Sequence, residues 1–225
     1  MDARSYAAEE EKRAAACEAA RLIQPGMNVG LGSGSTVAAL IDLLAESVPD
    51  ASFVAASPAT ANAARTHGLR VVALDDIGVL DLAIDGADQI NPGGWLIKGG
   101  GAAHTRERIV ASAARRFVVI VSSNKLVDRL RPPVPLEILA FAAETTLAAI
   151  APSRRRNHTP PSPDGGVIAD FLGPVDDPGR LARRLDRQAG VIAHGLFAPE
   201  MVDLVIVGRG GDRTEVFVPR QRAIA

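Results

Sequence analysis

Short apolar runs alternate with longer segments of helical periodicity through roughly the first half of the chain. The apolar runs, each bounded by turn-forming or polar residues, predict strands at residues 27–31, 51–57, 69–74, 80–85 and 117–121. The segments between them predict helices at residues 9–23, 35–48, 59–68 and 107–116. Strands that alternate with helices are typical of βαβ units, so the pattern predicts an α/β fold with a buried parallel sheet.

The pattern changes from residue 131 onward. Later apolar runs predict strands at residues 135–142, 166–171, 190–197 and 203–208. Helical patterns occur at residues 142–150 and 177–188. Residues 151–166 are rich in Pro, Arg and Gly, which predicts a long loop. We therefore expect a Rossmann-like parallel-sheet domain of residues 1–130 plus 201–225, interrupted by a smaller α+β (ferredoxin-like) domain of residues 131–200.

Composition and charge favour a small ligand over a polymer. The chain has 225 residues, of which 47% are hydrophobic and 23% charged, an ordinary globular composition. A formal net charge of −1 provides no overall field that attracts nucleic acid or an anionic membrane, so any anion must be recognised locally. The arginines at positions 154–156 are interpreted as solvated loop charges, because no aromatic residues that stack on bases lie among them.

The sequence gives no indication of a membrane segment, a disulfide or a metal centre. No stretch approaches the roughly 18 apolar residues of a membrane span, so a cytoplasmic protein without a membrane partner is expected. Cys17 is the only cysteine and is expected to be buried on the first helix. No HxH or HExxH spacing is found among the histidines, which are His67, His104, His158 and His194.

The segment VGLGSGSTVAAL, residues 29–40, is a candidate anion-binding loop. Gly30, Gly32 and Gly34 follow an apolar run, and backbone N–H groups at the start of the next helix favour negative charge. Hydroxyl donors are supplied by Ser33, Ser35 and Thr36. The segment departs from both the dinucleotide-binding fingerprint and the ATP-binding loop motif. Ser35 stands where the fingerprint has Gly or Ala, and also where the ATP-binding motif has its lysine. A strand-to-helix turn that is capped by Ser or Thr and binds no ligand is also compatible with this segment.

Two further segments carry groups suited to proton transfer. In AIDGADQI, Asp85 and Asp88 follow an apolar strand, where carboxylates bind hydroxyls or move protons, although a solvent-facing Asx turn is an equal alternative. In LIKGGGAAHTRERIV, residues 96–110, three glycines allow the backbone to approach a substrate. Lys98 is suited to neutralise charge that develops on an oxygen, and Glu107 is a candidate base.

Together these segments resemble type A ribose-5-phosphate isomerases. The resemblance rests on GLGSGST, DGADQI, KGGGAAHTRERIV and SSNKLV, in this order and at this spacing. PLEI at residues 135–138 and GVIAHGLF at residues 190–197 are similar to the family's second domain. The resemblance implies that ribose 5-phosphate and ribulose 5-phosphate are interconverted in the non-oxidative pentose phosphate pathway, without metal or other cofactor. It also implies a homo-oligomer, usually a dimer, with a tetramer as the alternative.

The same resemblance implies roles for individual residues. Glu107 is the expected general base, acting through an enediolate. Asp85, helped by Asp88, is expected to assist opening of the furanose ring, and Lys98 to stabilise the oxyanion. The expected substrate-binding residues are Ser33, Gly34, Ser35, Thr36, Asp85, Gly86, Ala87, Asp88, Lys98, Gly99, Gly100, Gly101 and Lys125. Lys12 is expected to reach the phosphate.

Three positions depart from the family pattern. Gln89 replaces an acidic residue after DGAD, Ser122 stands where an aspartate is common, and SPDGG at residues 162–166 replaces TDNGN. Ser122 is expected to alter the orientation or charge of Lys125, with reduced turnover or a changed substrate preference as the result. A sugar-phosphate sensor without catalysis and an isomerase-deaminase for another sugar phosphate remain the alternatives.

Overall fold

The computed structural model describes residues 3–219. In this part of the chain the helices are α1 (Ala3–Ala20), α2 (Ser35–Glu46), α3 (Pro58–Thr66), α4 (Leu74–Ile77), α5 (His104–Ser112), α6 (Ala143–Ala149) and α7 (Pro178–Asp186). The strands are β1 (Asn28–Leu31), β2 (Ser52–Ala55), β3 (Arg70–Val71), β4 (Leu82–Asp85), β5 (Gln89–Ile90), β6 (Leu96–Ile97), β7 (Phe117–Ser122), β8 (Val134–Ile138), β9 (Ser153–Arg155), β10 (Val167–Phe171), β11 (Val191–His194), β12 (Leu196–Phe197), β13 (Leu204–Arg209) and β14 (Arg213–Phe217).

The largest sheet has seven strands in the order β14-β13-β7-β4-β1-β2-β3. All neighbours in it pair in parallel except β14, which is antiparallel to β13. Every residue of β7 is buried, because α1 and α2 pack on one face of the sheet and α5 on the other. The predicted α/β fold with a buried parallel sheet is confirmed.

Helix α1 lies against the sheet on a face of small residues. Ala15, Ala16 and Ala19 are fully buried, and Gly208 of β13 lets the helix backbone approach closely, since a Cβ there would lie 1.7 Å from the Glu11 carbonyl oxygen. The expectation that Cys17 is buried is wrong, because its side chain is exposed. The helical period places Cys17 on the side opposite the buried alanines.

A second sheet contains four strands in the order β11-β8-β10-β9, and all of its pairs are antiparallel. With α6 and α7, these strands follow one another as βαββαβ, which is the predicted ferredoxin-like arrangement. Apolar residues such as Leu136, Ile138 and Leu185 form its core. The domain boundaries at residues 131 and 200 stay a prediction.

The segment of residues 151–166 is not a loop throughout, so that prediction is wrong for residues 153–155. Here strand β9 pairs with β10 at the edge of the four-stranded sheet, with Ser153 opposite Phe171 and Arg155 opposite Ala169. An edge strand is paired on one side only, and charged side chains are common on such strands. Its pairing therefore comes from tertiary contact with β10 rather than from an apolar pattern of its own.

A third sheet joins the short strands β12, β6 and β5 in antiparallel order. The predicted strand at residues 190–197 is in fact two strands, β11 and β12, which belong to different sheets. Gly195 lies between them, and a Cβ there would lie 2.1 Å from the Lys98 carbonyl oxygen. The predicted strand at residues 135–142 ends at Ile138.

The order of the parallel strands positions the cleft. From β1 the chain proceeds outward to β2 and β3, then returns to β4 on the other side of β1. The segments that follow β1 and β4 therefore leave the sheet side by side at its carboxyl edge. In open α/β sheets this reversal point is where ligands bind. The glycine segment, residues 99–101, follows β6 and lies against the same edge.

Candidate active site

The cleft at this edge brings together most residues that the sequence predicts. Its lining consists of Ser33, Gly34, Ser35, Thr36, Gly86, Ala87, Asp88, Lys98, Gly99, Gly100, Gly101, Glu107 and Lys125. Asp85 is not part of this surface but lies next to it, 3% exposed, in contact with Lys98. Lys12 does not line the cleft, and its ammonium pairs with Glu9 at 2.6 Å.

One wall of the cleft is the turn from β1 into helix α2. Gly34 precedes the helix with a φ of 89°, a left-handed conformation that glycine adopts at little cost. Gly32 must lack a side chain, because a Cβ there would lie 1.8 Å from the Asp85 carboxyl carbon. Ser35 and Thr36 begin the helix, so the partial positive charge of its N-terminus faces the cleft.

The floor of the cleft contains a buried group of three ionisable side chains. Lys98 Nζ donates to Asp85 Oδ2 at 2.6 Å and to the Gly86 carbonyl at 2.6 Å, and lies 3.1 Å from Glu107 Oε2. Ser33 Oγ donates to the other Glu107 oxygen at 2.5 Å. Glu107 Oε2 accepts no aligned hydrogen bond from the described residues, and the Lys98 ammonium is its charged neighbour.

The surroundings separate the pKa values of the two carboxyl groups. Burial raises the pKa of Asp85 to about 7, and the charge of Glu107 acts in the same direction. Burial also opposes ionisation of Glu107, but the Lys98 charge and the Ser33 hydrogen bond outweigh it, so the Glu107 pKa is lowered. Burial disfavours the charged amine of Lys98, yet the two carboxyl groups together raise its pKa. A readily protonated carboxyl beside an ionised one is the pattern that divides acid and base roles.

The glycine segment passes between a buried histidine and an aspartate. Gly99 has a φ of 97°, and a Cβ there would lie 2.7 Å from the His104 ring. On the other side Gly100 N donates to Asp88 Oδ2 at 2.8 Å, and a Cβ on Gly100 would lie 3.0 Å from the same carboxylate. Side chains at these positions would displace the backbone from the cleft.

The rim of the cleft near Lys125 is fixed by helix α1. Ser123 donates to the Glu11 carboxylate through both its backbone N and its hydroxyl, at 2.8 Å each. Ser122 is buried, and its hydroxyl donates to Asn124 Oδ1 at 2.7 Å. No described hydrogen bond joins Ser122 to Lys125, so an effect on Lys125 would act through the backbone of this turn.

The other two departures from the family pattern make structural contacts. Gln89 receives a hydrogen bond from Arg131 N and donates to Arg131 O, both at 2.8 Å, where the chain enters the second sheet. In the SPDGG segment, Ser162 Oγ donates to the buried Glu137, which also accepts a hydrogen bond from Thr105 of helix α5. These contacts connect the segment to the helix that carries Glu107.

Sequence reasoning missed several side chains around the cleft. His104, buried behind the glycine segment, and Glu137 lie inside the KGGGAAHTRERIV and PLEI segments, but the sequence assigns neither of them a role. Arg156, interpreted as solvated charge, instead pairs with Asp170 at 2.6 Å, so that interpretation is wrong for this residue. Arg154 and Arg155 are exposed, as expected. Arg156 directly follows the polar strand β9, and no pattern in that part of the sequence marks its pairing.

Two other kinds of feature are absent from residues 3–219. No group of three or more His, Cys, Asp or Glu side chains in this range is arranged to hold a metal ion. Within the same range, no helix combines the length and the apolar character that crossing a membrane requires.

The fold and the cleft define a class of α/β proteins that bind a small anion at a helix N-terminus and place carboxyl groups beside a lysine for proton transfer. Residues 52–212 match the family model of ribose 5-phosphate isomerase A, also called phosphoriboisomerase A. The chain belongs to this family, as its motifs predict.

Relatives and solved structures agree with this assignment. The chain is 42% identical over 215 residues to ribose-5-phosphate isomerase A of Caulobacter sp. (strain K31), which covers 89% of this chain and 95% of the relative. The corresponding protein of Thermosynechococcus vestitus is 38% identical over 219 residues, or 90% and 92% of the two chains. The crystal structure of ribose 5 phosphate isomerase A from Neisseria gonorrhoeae superposes with a TM-score of 0.87 at 31% identity, over 95% and 98% of the chains. The structure of a D-ribose-5-phosphate isomerase in complex with phospho-erythronic acid also superposes with a TM-score of 0.87. It is 35% identical to this chain, and the match covers 94% of this chain and 99% of that structure's chain.

Proposed function

We propose that this protein interconverts D-ribose 5-phosphate and D-ribulose 5-phosphate, as an aldose-ketose isomerase of the pentose phosphate pathway. The observation that carries the proposal is Glu107, a buried carboxylate that lines the cleft and whose Oε2 lies 3.1 Å from the Lys98 ammonium. Family membership supplies the reaction, and the ligand of one structural relative, phospho-erythronic acid, is a phosphorylated sugar acid.

The phosphate end of the substrate is assigned to the start of helix α2. The backbone N–H groups of the first turn and the hydroxyls of Ser35 and Thr36 suit a phosphate there. Lys125, on the rim of the same cleft, adds a positive charge. The role of Lys12 at the phosphate stays a prediction, since its ammonium is paired with Glu9 and does not line the cleft.

Ring opening is assigned to the two aspartates. The cyclic sugar has no carbonyl group to acidify the proton on C2, so the furanose must open before isomerisation. Asp85, whose pKa is raised to about 7 by burial, is able to exchange a proton near neutral pH. Asp88, held by Gly100 N, is placed to bind a sugar hydroxyl beside it.

The proton transfer itself is assigned to Glu107. Glu107 takes the proton from C2, and the electron pair forms the C1–C2 double bond of an enediolate with negative charge on O1. Lys98 stabilises that charge from the floor of the cleft. Glu107 then returns the proton to C1, and the hydroxyl proton of O2 passes to O1, so that O2 becomes the ketone oxygen and O1 a hydroxyl. Every proton lost is regained at another atom, so the reaction is redox-neutral and consumes no cofactor.

The decisive experiment is ketose formation from ribose 5-phosphate by purified, chelator-treated protein, with Glu107→Gln in parallel. The variant keeps the size of the side chain but removes the base, so we expect a loss of about 100-fold or more. Equal activity of the two proteins would mean that another group is the base. Binding of ribose 5-phosphate without turnover would favour the sensor, and turnover of glucosamine 6-phosphate alone would favour the isomerase-deaminase.

We also propose that the active form is a homodimer and that the protein works in the cytoplasm. Leu139, Phe141 and Ile192 expose apolar side chains, and Leu139 N donates to Gly190 O, which brings the first and last of them close together. A second copy of the chain would cover this patch. The cytoplasmic location rests on the phosphorylated substrate, since a charged sugar does not cross a lipid bilayer unaided.

A further inference from the structure

The side chain of Arg156 connects the four-stranded sheet to the glycine segment. Its Nε and one terminal nitrogen donate to the two oxygens of Asp170, at 3.1 and 2.6 Å. The other terminal nitrogen donates to the Gly100 carbonyl at 3.0 Å and lies 3.5 Å from the Gly99 carbonyl. The planar guanidinium is fixed by the bidentate pair with Asp170, so it presents its remaining donors in one direction.

These contacts determine which way two peptide groups of the glycine segment face. In a trans peptide the C=O and the following N–H point in opposite directions. The Gly99 and Gly100 carbonyls face Arg156, so the N–H groups of Gly100 and Gly101 face the other side. Gly100 N–H donates there to Asp88, which lines the cleft. By the same peptide geometry we infer that the Gly101 N–H is directed to that side.

Glycine residues leave this orientation poorly determined by local sterics. A segment of three glycines has access to many backbone conformations, including rotation of either peptide plane. Gly99 O also accepts a hydrogen bond from Ala102 N at 3.0 Å, which closes the turn at one end. The Gly100 carbonyl has Arg156 as its hydrogen-bond donor among the described residues. Arg156 is therefore the contact that selects one orientation of the peptide between Gly100 and Gly101.

We propose that Arg156 is a positioning residue for the isomerisation, acting through the peptide groups of the glycine segment. Through the Gly100 carbonyl it directs the Gly101 N–H toward the cleft, while Asp170 holds the guanidinium in place. This inference rests on the proposed function. It does not place Arg156 in contact with the sugar, because Arg156 is not among the residues that line the cleft.

The test compares Arg156→Lys with Arg155→Lys, the same change at the exposed neighbour in strand β9. Lysine keeps the charge but lacks the planar fork, so it cannot hold Asp170 and the glycine carbonyls together. We expect kcat for ribose 5-phosphate to fall about 10- to 100-fold in Arg156→Lys, as for other small misplacements of reacting groups. KM of Arg156→Lys should change less than about threefold, and its urea unfolding midpoint should match that of Arg155→Lys. The control variant Arg155→Lys should have the kinetics of the wild type.

A second variant separates positioning from simple loss of structure. In Arg156→Ala, added ethylguanidinium should restore part of kcat in a saturable manner, whereas ethylammonium, of equal charge, should not. Wild-type kcat in Arg156→Lys would overturn the inference while leaving the proposed function intact. A parallel loss of activity and unfolding midpoint, without rescue by ethylguanidinium, would also overturn it. Absence of ketose formation by the wild type would overturn the proposed function, and the inference with it.

Discussion

Single residues set the electrostatics of the cleft, and His104 is a case in which burial dominates. It is fully buried behind the glycine segment, and neither ring nitrogen has a hydrogen-bond partner among the described residues. Burial lowers its pKa to about 4, although Glu107 and Glu137 favour the charged form and Arg156 and His194 oppose it. The ring is therefore neutral when the enzyme works near neutral pH.

Replacement of His104 by leucine should stabilise the protein, most of all in acid. At pH 7 the variant loses two unpaired polar atoms from the interior, which is favourable by about 1–3 kcal/mol. Between pH 6.5 and about 4 the unfolded histidine binds a proton that the folded one does not, so wild-type stability falls as pH falls. At pH 5 this adds about 2 kcal/mol to the advantage of His104→Leu.

Urea unfolding of both proteins at pH 7, 6 and 5 measures this difference directly. His194, whose pKa burial also lowers to about 4, is present in both proteins and cancels in the comparison. The same is true of Asp85, whose raised pKa has the opposite effect on the pH dependence. Parallel stability curves for wild type and variant would show that His104 finds a partner for its proton in the folded state.

At the scale of elements, the junction of β11 and β12 positions Lys98. Lys98 N donates to Gly195 O, and Gly195 N to Pro135 O, both at 2.8 Å. A Cβ on Gly195 would lie 2.1 Å from the Lys98 carbonyl oxygen, so neither backbone could keep its place. We expect Gly195→Ala to destabilise the protein by about 1–3 kcal/mol, as overpacking does, and to lower kcat because Lys98 moves.

The matched control for this change is Gly210→Ala, in the turn between β13 and β14. No atom lies within 4 Å of a Cβ built there, so this variant should keep wild-type stability and turnover. The two readouts are the free energy of unfolding in urea and kcat for ribose 5-phosphate. If Gly195→Ala behaved like its control, the junction would be too pliable to position the lysine.

Elements were predictable where their side chains carry the pattern and unpredictable where a neighbour imposes the structure. Strand β7 is apolar throughout and buried throughout, so its sequence alone identifies it. Strand β9 is polar and mostly exposed, and exists because β10 offers it a partner. Strand β14, RTEVF, has the same origin beside β13. Two-residue strands such as β5 are too short to show any period.

At the scale of the whole molecule, the site also contains residues that the sequence pattern places and residues that only packing between sheets places. Motif residues such as Ser33 and Asp85 lie where the adjacent parallel strands β1 and β4 end, so their meeting follows from the α/β topology. Arg156 and Glu137 come from the four-stranded sheet and its flanking segment, and their contacts with the glycine segment and with helix α5 depend on how that sheet packs. No local sequence pattern specifies that packing, so the contacts of these two residues could not be predicted from the sequence.

Assembly is the property of the whole molecule that the surface predicts. Phe141 is 83% exposed, and Leu139 and Ile192 are about half exposed beside the edge strand β11. Such a cluster is costly in water, and a second copy of the chain related by twofold symmetry would bury both copies' clusters at once.

We expect sedimentation equilibrium to give twice the chain mass of 23.5 kDa. Phe141→Glu should shift the protein to the single-chain mass, because each interface would then bury two like charges. Val79→Glu, at an exposed apolar residue outside the cluster, should leave the dimer intact. Twice the chain mass in both variants would place the interface elsewhere, and four times the chain mass in the wild type would mean a tetramer.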